Sequence, residues 1–65
     1  MNVNLIRAKM VEKGYTQGEV AKKIGMSSNS LSRKLLGKRE FRLREVCMLC
    51  EVLDIDNVQE IFLKK

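Results

Sequence analysis

The side chains with the most directed hydrogen-bonding chemistry fall within residues 28–33, which read Ser-Asn-Ser-Leu-Ser-Arg. An arginine can donate two hydrogen bonds to a guanine edge, an asparagine can pair with adenine in the same bidentate way, and a serine suits either base. If Leu31 faces inward on a helix, a rotation of about 100° per residue places Asn29 and Arg33 on the opposite face. The segment therefore predicts a narrow polar surface that could enter a major groove about 12 Å wide.

Basic side chains surround this polar segment. Residues 27–44 carry six lysines and arginines and one acidic residue, whereas residues 45–65 carry two basic and five acidic residues. A concentrated basic patch on a chain of net charge +5 favours a polyanion, although a merely solvated basic surface has the same composition. The candidates for phosphate contact are Lys34, Lys38, Arg39 and Arg42, together with Gln17 at the start of a helix, where free N–H groups favour an anion.

The rest of the sequence gives little support for a catalytic site or a metal site. Cys47 and Cys50 have the C-x-x-C spacing, but they lie in an apolar run in the middle of a helix, whereas a redox pair belongs at a helix N-terminus. A zinc site needs two further ligands, and the chain has no histidine. We therefore interpret both cysteines as buried small apolar residues, and Asp54 and Asp56 as helix caps. The sequence predicts no enzymatic activity, no cofactor and no metal site.

Length and composition narrow the class of protein further. The chain has 65 residues, which is enough for a single domain over residues 1–65 but leaves little room for a deep catalytic cavity. No stretch approaches the roughly 18 apolar residues of a membrane span. The first four residues lack the basic start and apolar core of a signal peptide. We therefore expect a soluble, cytoplasmic protein with no membrane partner and no small-molecule substrate.

The elements that must position the polar segment are helices. Apolar and polar residues nowhere alternate over the length of a strand, so the sequence predicts an all-α fold of five short helices. We expect the helices at about residues 3–13, 17–24, 28–36, 43–53 and 57–63, with Gly14, Gly25 and Gly37 ending the first three.

Capping patterns and helical spacing support these boundaries. Thr16 and Glu19 have the spacing of a capping box, and Tyr15 and Val20 have the spacing of a hydrophobic staple. Ser27 is a favourable N-cap for the third helix. The candidate core residues recur at helical intervals: Val3, Ile6 and Met10; Val20, Ala21 and Ile24; Leu31 and Leu35; Leu43, Val46, Cys47, Cys50 and Leu53; Val58, Ile61 and Phe62.

The spacing of the second and third helices is the most specific feature. Two helices of about two turns, joined by a four-residue turn that begins at Gly25, have helix-turn-helix geometry. The pattern Thr16-Gln17-x-x-Val20-Ala21-x-x-Ile24-Gly25-Met26-Ser27-x-x-x-Leu31-Ser32-Arg33-x-x-x-Gly37-Lys38 resembles the lambda repressor/Cro-like family, and an Asp-x-x-x-x-Ile-Phe ending over residues 56–62 extends the similarity. This resemblance implies a compact five-helix domain that binds operator duplex DNA, usually as a homodimer, and regulates transcription, often in a phage or prophage.

The resemblance also implies roles for individual residues. In the family the start of the second helix holds phosphate and the third helix reads bases. Carried over, Gln17 would hold the DNA backbone, and the residues facing base edges would be Ser28, Asn29, Ser32 and Arg33. The chain departs from the family pattern at position 34, where Lys replaces a buried aliphatic residue and Leu35 takes over the packing, so that the third helix is rotated. Arg42 also stands where a capping side chain is usual, and Asp54 where glycine is usual.

A second class of function stays open on the sequence. The apolar residues of the last two helices, Val52, Val58, Phe62 and Leu63, exceed what one small core is expected to bury, and an exposed remainder would be a protein–protein surface. In the leading interpretation that surface forms the homodimer. In the alternative it is the function itself, in a protein-binding regulator of the antirepressor type. Leu36 is expected to pack under Phe41 at the helix end rather than to contact a thymine methyl group.

Overall fold

The computed structural model describes residues 1–62 and contains five helices and no strand in that range, which confirms the predicted all-α fold of five helices. The helices are α1 (Val3–Lys13), α2 (Gln17–Lys23), α3 (Ser28–Leu35), α4 (Leu43–Leu53) and α5 (Gln59–Phe62). α3 packs mainly on α2, while α1 packs against α4 and α5. Within the described residues, no helix is both long enough and apolar enough to cross a membrane.

Side chains cap the first three helices where the sequence predicts helix starts. The Asn2 side chain accepts a hydrogen bond from the Leu5 N–H. At the start of α2 the Thr16 hydroxyl accepts from the Glu19 N–H, and the Glu19 carboxylate accepts from the Thr16 N–H, so the capping box is complete. The Ser27 hydroxyl accepts from the Ser30 N–H at the start of α3. These bonds satisfy backbone donors that a helix start leaves unpaired.

The joints on either side of α3 depend on glycine. Gly25 and Gly37 have φ of 76° and 80°, in the left-handed region that other residues adopt at a cost. At the end of α2 the Met26 N–H donates to the Ala21 carbonyl, and at the end of α3 the Lys38 N–H donates to the Arg33 carbonyl. Both are Schellman closures, which turn the chain sharply and satisfy carbonyls at the helix end. α3 is therefore bounded by two rigid corners.

One cluster of buried apolar side chains holds the helices together: Ile6, Met10, Val20, Ala21, Ile24, Leu31, Leu35, Val46, Leu49, Cys50, Leu53, Ile55 and Ile61. The prediction for α4 was wrong at two positions. Leu43 is 68% exposed and Cys47 is exposed, whereas Leu49 is fully buried. α4 is apolar around most of its circumference, so the direction of its neighbours, and not its own pattern, decides which face is buried.

The last described helix begins at Gln59, about two residues later than predicted, and is bonded to the segment before α1. The Asn2 N–H donates to the Ile61 carbonyl at 2.5 Å, which ties α5 to the segment before α1. Ile61 is buried and Val58 is half-buried, as the core prediction requires, but Phe62 is 51% exposed. Leu63, which the sequence prediction placed in this helix, lies outside the described residues.

Candidate nucleic-acid interface

The outer face of α3 presents the polar side chains that the sequence singles out. Leu31 and Leu35 are buried, and they turn one side of α3 towards the core. Asn29 and Arg33 are exposed on the opposite face, about half a turn away from the two leucines. Their side chains can therefore approach a ligand without moving any packed element.

The serines of α3 differ in their exposure and in their hydrogen bonds within the protein. Ser28 is exposed and Ser32 is half-buried on the flanks of the same face. The Ser27 hydroxyl donates to the Ser30 hydroxyl at 3.1 Å in addition to capping the helix, so both groups belong to the N-terminal cap. Of the four predicted base contacts, Ser28, Asn29 and Arg33 are thus exposed and Ser32 is half-buried, with Asn29 and Arg33 directly opposite the core.

Lys34 occupies a different environment from the other basic side chains near α3. Its ammonium lies 2.5 Å from the Glu45 carboxylate, and the two side chains are only 11% and 14% exposed. The ammonium also lies 5.9 Å from the centre of the Phe41 ring. The charge of Lys34 is therefore engaged within the protein. The phosphate contact predicted for Lys34 would require this ion pair to break.

The loop between α3 and α4 displays the remaining predicted phosphate contacts. Lys38, Arg39 and Arg42 are all exposed. Among residues 1–62 the ion pairs are Lys9–Glu12, Lys13–Asp54 and Lys34–Glu45, and none of them involves these three side chains. Gln17 is half-buried at the first position of α2. Exposed basic side chains thus follow the C-terminal end of α3.

Glu45 is the residue of this region that the sequence analysis missed. Besides accepting a hydrogen bond from Lys34, its carboxylate accepts from the Arg42 N–H at 2.9 Å, as the reciprocal half of a capping box. Partial burial raises the pKa of Glu45, but the hydrogen bonds and charges of Lys34 and Arg42 outweigh it and hold the pKa below its ordinary value. The available signal was a glutamate three residues after the helix cap.

Comparison with known families identifies the arrangement. A sequence model described as helix-turn-helix matches residues 6–56, which include all of α2, the turn and all of α3. The chain belongs to the lambda repressor/Cro-like helix-turn-helix family. Neither the curated proteins nor the solved structures include one that matches it. As a member of this family the protein is a DNA-binding transcription regulator.

The C-terminal end of α3 in this helix-turn-helix protein borders an open groove of about 540 Å³. Apolar and charged side chains line it together: Met1, Val3, Leu35, Leu36, Phe41 and Phe62 with Lys34, Arg39 and Glu40. Leu36 is 62% exposed, so the expectation that it packs under Phe41 was wrong. Leu36 follows the last residue of α3 as its C-cap, where the chain is already turning away from the core.

The cysteines of this regulator do not share one environment. Cys50 is buried, as the sequence interpretation requires, and burial raises the pKa of its thiol. Cys47 is exposed, which contradicts the interpretation of both cysteines as core residues. Residues 1–62 contain no group of three or more His, Cys, Asp or Glu side chains that could hold a metal ion.

Proposed function

We propose that this helix-turn-helix regulator binds a specific operator sequence in duplex DNA, with α3 in the major groove. The observation that carries the proposal is the position of Asn29 and Arg33, which are exposed on the face of α3 opposite its two buried leucines. Arg33 is suited to a guanine edge and Asn29 to an adenine edge, and the flanking Ser28 and Ser32 can donate to or accept from either base. Small serines allow the helix backbone to approach the groove floor closely.

The exposed basic side chains that follow α3 supply the contacts that carry no sequence information. Lys38, Arg39 and Arg42 would bind phosphates at one end of the recognition helix, and Gln17 would bind the DNA backbone at the start of α2. Lys34 is left out of this set because its ammonium is engaged by Glu45. Charge on the loop would then determine affinity and salt dependence, and the face of α3 would determine specificity.

The operator is proposed to be a rough palindrome occupied by two copies of the chain. One copy offers a single short reading helix, and a second half-site about 34–36 Å away doubles the specific contacts. Phe62 and Leu36 are exposed and line the same groove, and they offer apolar contacts for the second copy. Occupation of such an operator fits a repressor of the phage or prophage type, as the resemblance in the helix-turn-helix segment suggests.

Selection from a random duplex library tests the proposal. The purified chain is incubated with the library at physiological salt, and bound duplexes are recovered and sequenced over several rounds. We expect an enriched palindrome with a fixed half-site spacing of about 10–10.5 base pairs. The matched variant Asn29→Ala should lose part of the enrichment at one position of each half-site.

Failure of the selection would have a definite meaning. If the folded wild-type protein enriches no sequence, operator recognition is refuted. The apolar surface of the last two helices would then favour the alternative, a protein-binding regulator of the antirepressor type.

A further inference from the structure

The corner between α3 and α4 contains a partly buried ion pair that joins the recognition helix to the next helix. Lys34 lies in the last turn of α3 and Glu45 in the first turn of α4, and their charged atoms are 2.5 Å apart. Both side chains are largely withdrawn from solvent, so the attraction between them is screened less than that of a surface pair.

Two further contacts connect this ion pair to the basic loop. The Glu45 carboxylate accepts a hydrogen bond from the Arg42 N–H at the end of the loop. The Phe41 ring, half-buried at the same end, lies 5.9 Å from the Lys34 ammonium. A single carboxylate therefore touches both the recognition helix and the end of the loop that carries the proposed phosphate contacts.

We propose that Glu45 is a positioning residue for operator recognition, which holds Lys34 on one side and Arg42 on the other and thereby fixes the rotation of α3 relative to the basic loop. The proposal rests on the function proposed above. Neither Lys34 nor Glu45 touches DNA in this scheme. Their interaction instead keeps Arg33, the residue before Lys34, directed at base edges while Arg42 reaches phosphate.

The opposing hypothesis is that Lys34 contacts phosphate and that Glu45 competes with the DNA for it. The two hypotheses differ in what Glu45→Gln does to the ratio of operator affinity to non-operator affinity: the opposing hypothesis leaves that ratio unchanged, whereas our proposal lowers it. Removing the carboxylate adds one positive charge, and under the opposing hypothesis it frees Lys34, so binding to every duplex should strengthen. Under our proposal the operator is bound less well relative to other sequences, because the reading helix is no longer held in register with the loop.

The test measures the ratio of operator affinity to non-operator affinity, using the selected palindrome and a scrambled duplex of equal length. The variants are Glu45→Gln, Lys34→Met and the double variant. Glu51→Gln is the matched control for Glu45→Gln, since Glu51 is an exposed glutamate on the same helix and both substitutions raise the net charge by one. The ratio cancels the uniform electrostatic effect of each charge change.

We expect the ratio to fall about tenfold in Glu45→Gln and in Lys34→Met, within the range that one misplaced bidentate base contact implies. The double variant should lose no more than either single variant, since each change breaks the same interaction. Glu51→Gln should leave the ratio unchanged. Circular dichroism at the assay temperature establishes that each variant is folded.

The results that would overturn the proposal are distinct from those that refute operator recognition. A wild-type ratio near one refutes the proposed function, and the positioning role with it. A high wild-type ratio that persists in a folded Glu45→Gln or Lys34→Met variant refutes the positioning role alone. Unfolding of both single variants at the assay temperature would show that the pair serves folding only, and would also overturn the proposal.

Discussion

The variant Arg33→Ala tests the proposal that α3 reads bases. Arg33 is exposed, and its part in the fold is made by its backbone carbonyl, which accepts the Lys38 N–H in the helix-end closure. Arg33→Ala keeps that carbonyl and favours the helix slightly. The free energy of unfolding should therefore change by no more than about 0.5 kcal/mol, which is usual for exposed sites.

The expected loss of operator affinity follows from the proposed symmetry. One bidentate contact between arginine and guanine contributes about 1–3 kcal/mol to discrimination against the wrong base. Two copies on a palindrome lose the contact twice, so the dimer should lose about 2–6 kcal/mol, or from about 30-fold to above 10⁴-fold in affinity. On a non-operator duplex the variant loses only the general attraction of one positive charge per copy.

Fluorescence anisotropy with labelled operator and scrambled duplexes at one fixed salt concentration measures both losses. Arg7→Ala is the matched control, because Arg7 is an exposed arginine on α1, outside the helix-turn-helix. The control should affect both duplexes equally and slightly. If Arg33→Ala weakens binding to the two duplexes by the same factor, Arg33 contacts phosphate only, and the assignment of base reading to this face of α3 fails.

Three further predictions concern the loop, the core and pH. Lys38→Ala should weaken binding to all sequences alike and reduce the slope of log affinity against log salt by about 0.9 per copy, and an unchanged slope would remove Lys38 from the interface. Leu31→Ala should cost about 2.7–5 kcal/mol, a large share of the total stability of a domain this small, so its thermal melt should show a greatly lowered Tm. A hydrogen bond from the Thr16 backbone N–H lowers the pKa of the Glu19 carboxyl, and a hydrogen bond from the Lys13 side chain lowers the pKa of the Asp54 carboxyl. A carboxyl whose pKa is lowered by folding stabilises the fold at pH values above its ordinary pKa, and this stabilisation is lost as the pH falls through the lowered pKa. The Tm should therefore stay constant from pH 7 to about 5 and fall towards pH 3. A Tm that stays constant down to pH 3 would contradict this linkage.

Features governed by a few neighbouring residues were predictable from the sequence. The bounds of α1 and α4, the capping box at Thr16 and Glu19 and the cap at Ser27 agree with the structure. Each depends on hydrogen bonds that reach no more than about four residues along the chain, so the local sequence contains the information. The outward position of Asn29 followed in the same way, from the helical interval that separates it from Leu31.

Features that depend on the arrangement of helices were not predictable. Leu43 and Cys47 are exposed because α4, which is apolar on most sides, is rotated so that Leu49 faces the core. The sequence predicts a phosphate contact for Lys34 because this residue lies in the basic segment 27–44. Its partner Glu45 is 11 residues further on, and only the corner between α3 and α4 brings the two charges together.

Replacing an aliphatic residue at position 34 by lysine alters how the recognition helix is held. Burial of an apolar side chain stabilises the helix against the core, but the hydrophobic effect does not depend on the direction of the contact. The Lys34 ammonium, in contrast, makes a directional contact with one carboxylate oxygen of Glu45 at 2.5 Å. The two leucines of α3 supply burial, and the ion pair supplies a directional constraint at the end nearest the loop. Salt that screens the exposed loop cations reaches this partly buried pair less readily. If the loop cations bind phosphate and the ion pair positions α3, as proposed, affinity and orientation depend on separate sets of charges, and the charge of the loop can vary without changing the direction of α3.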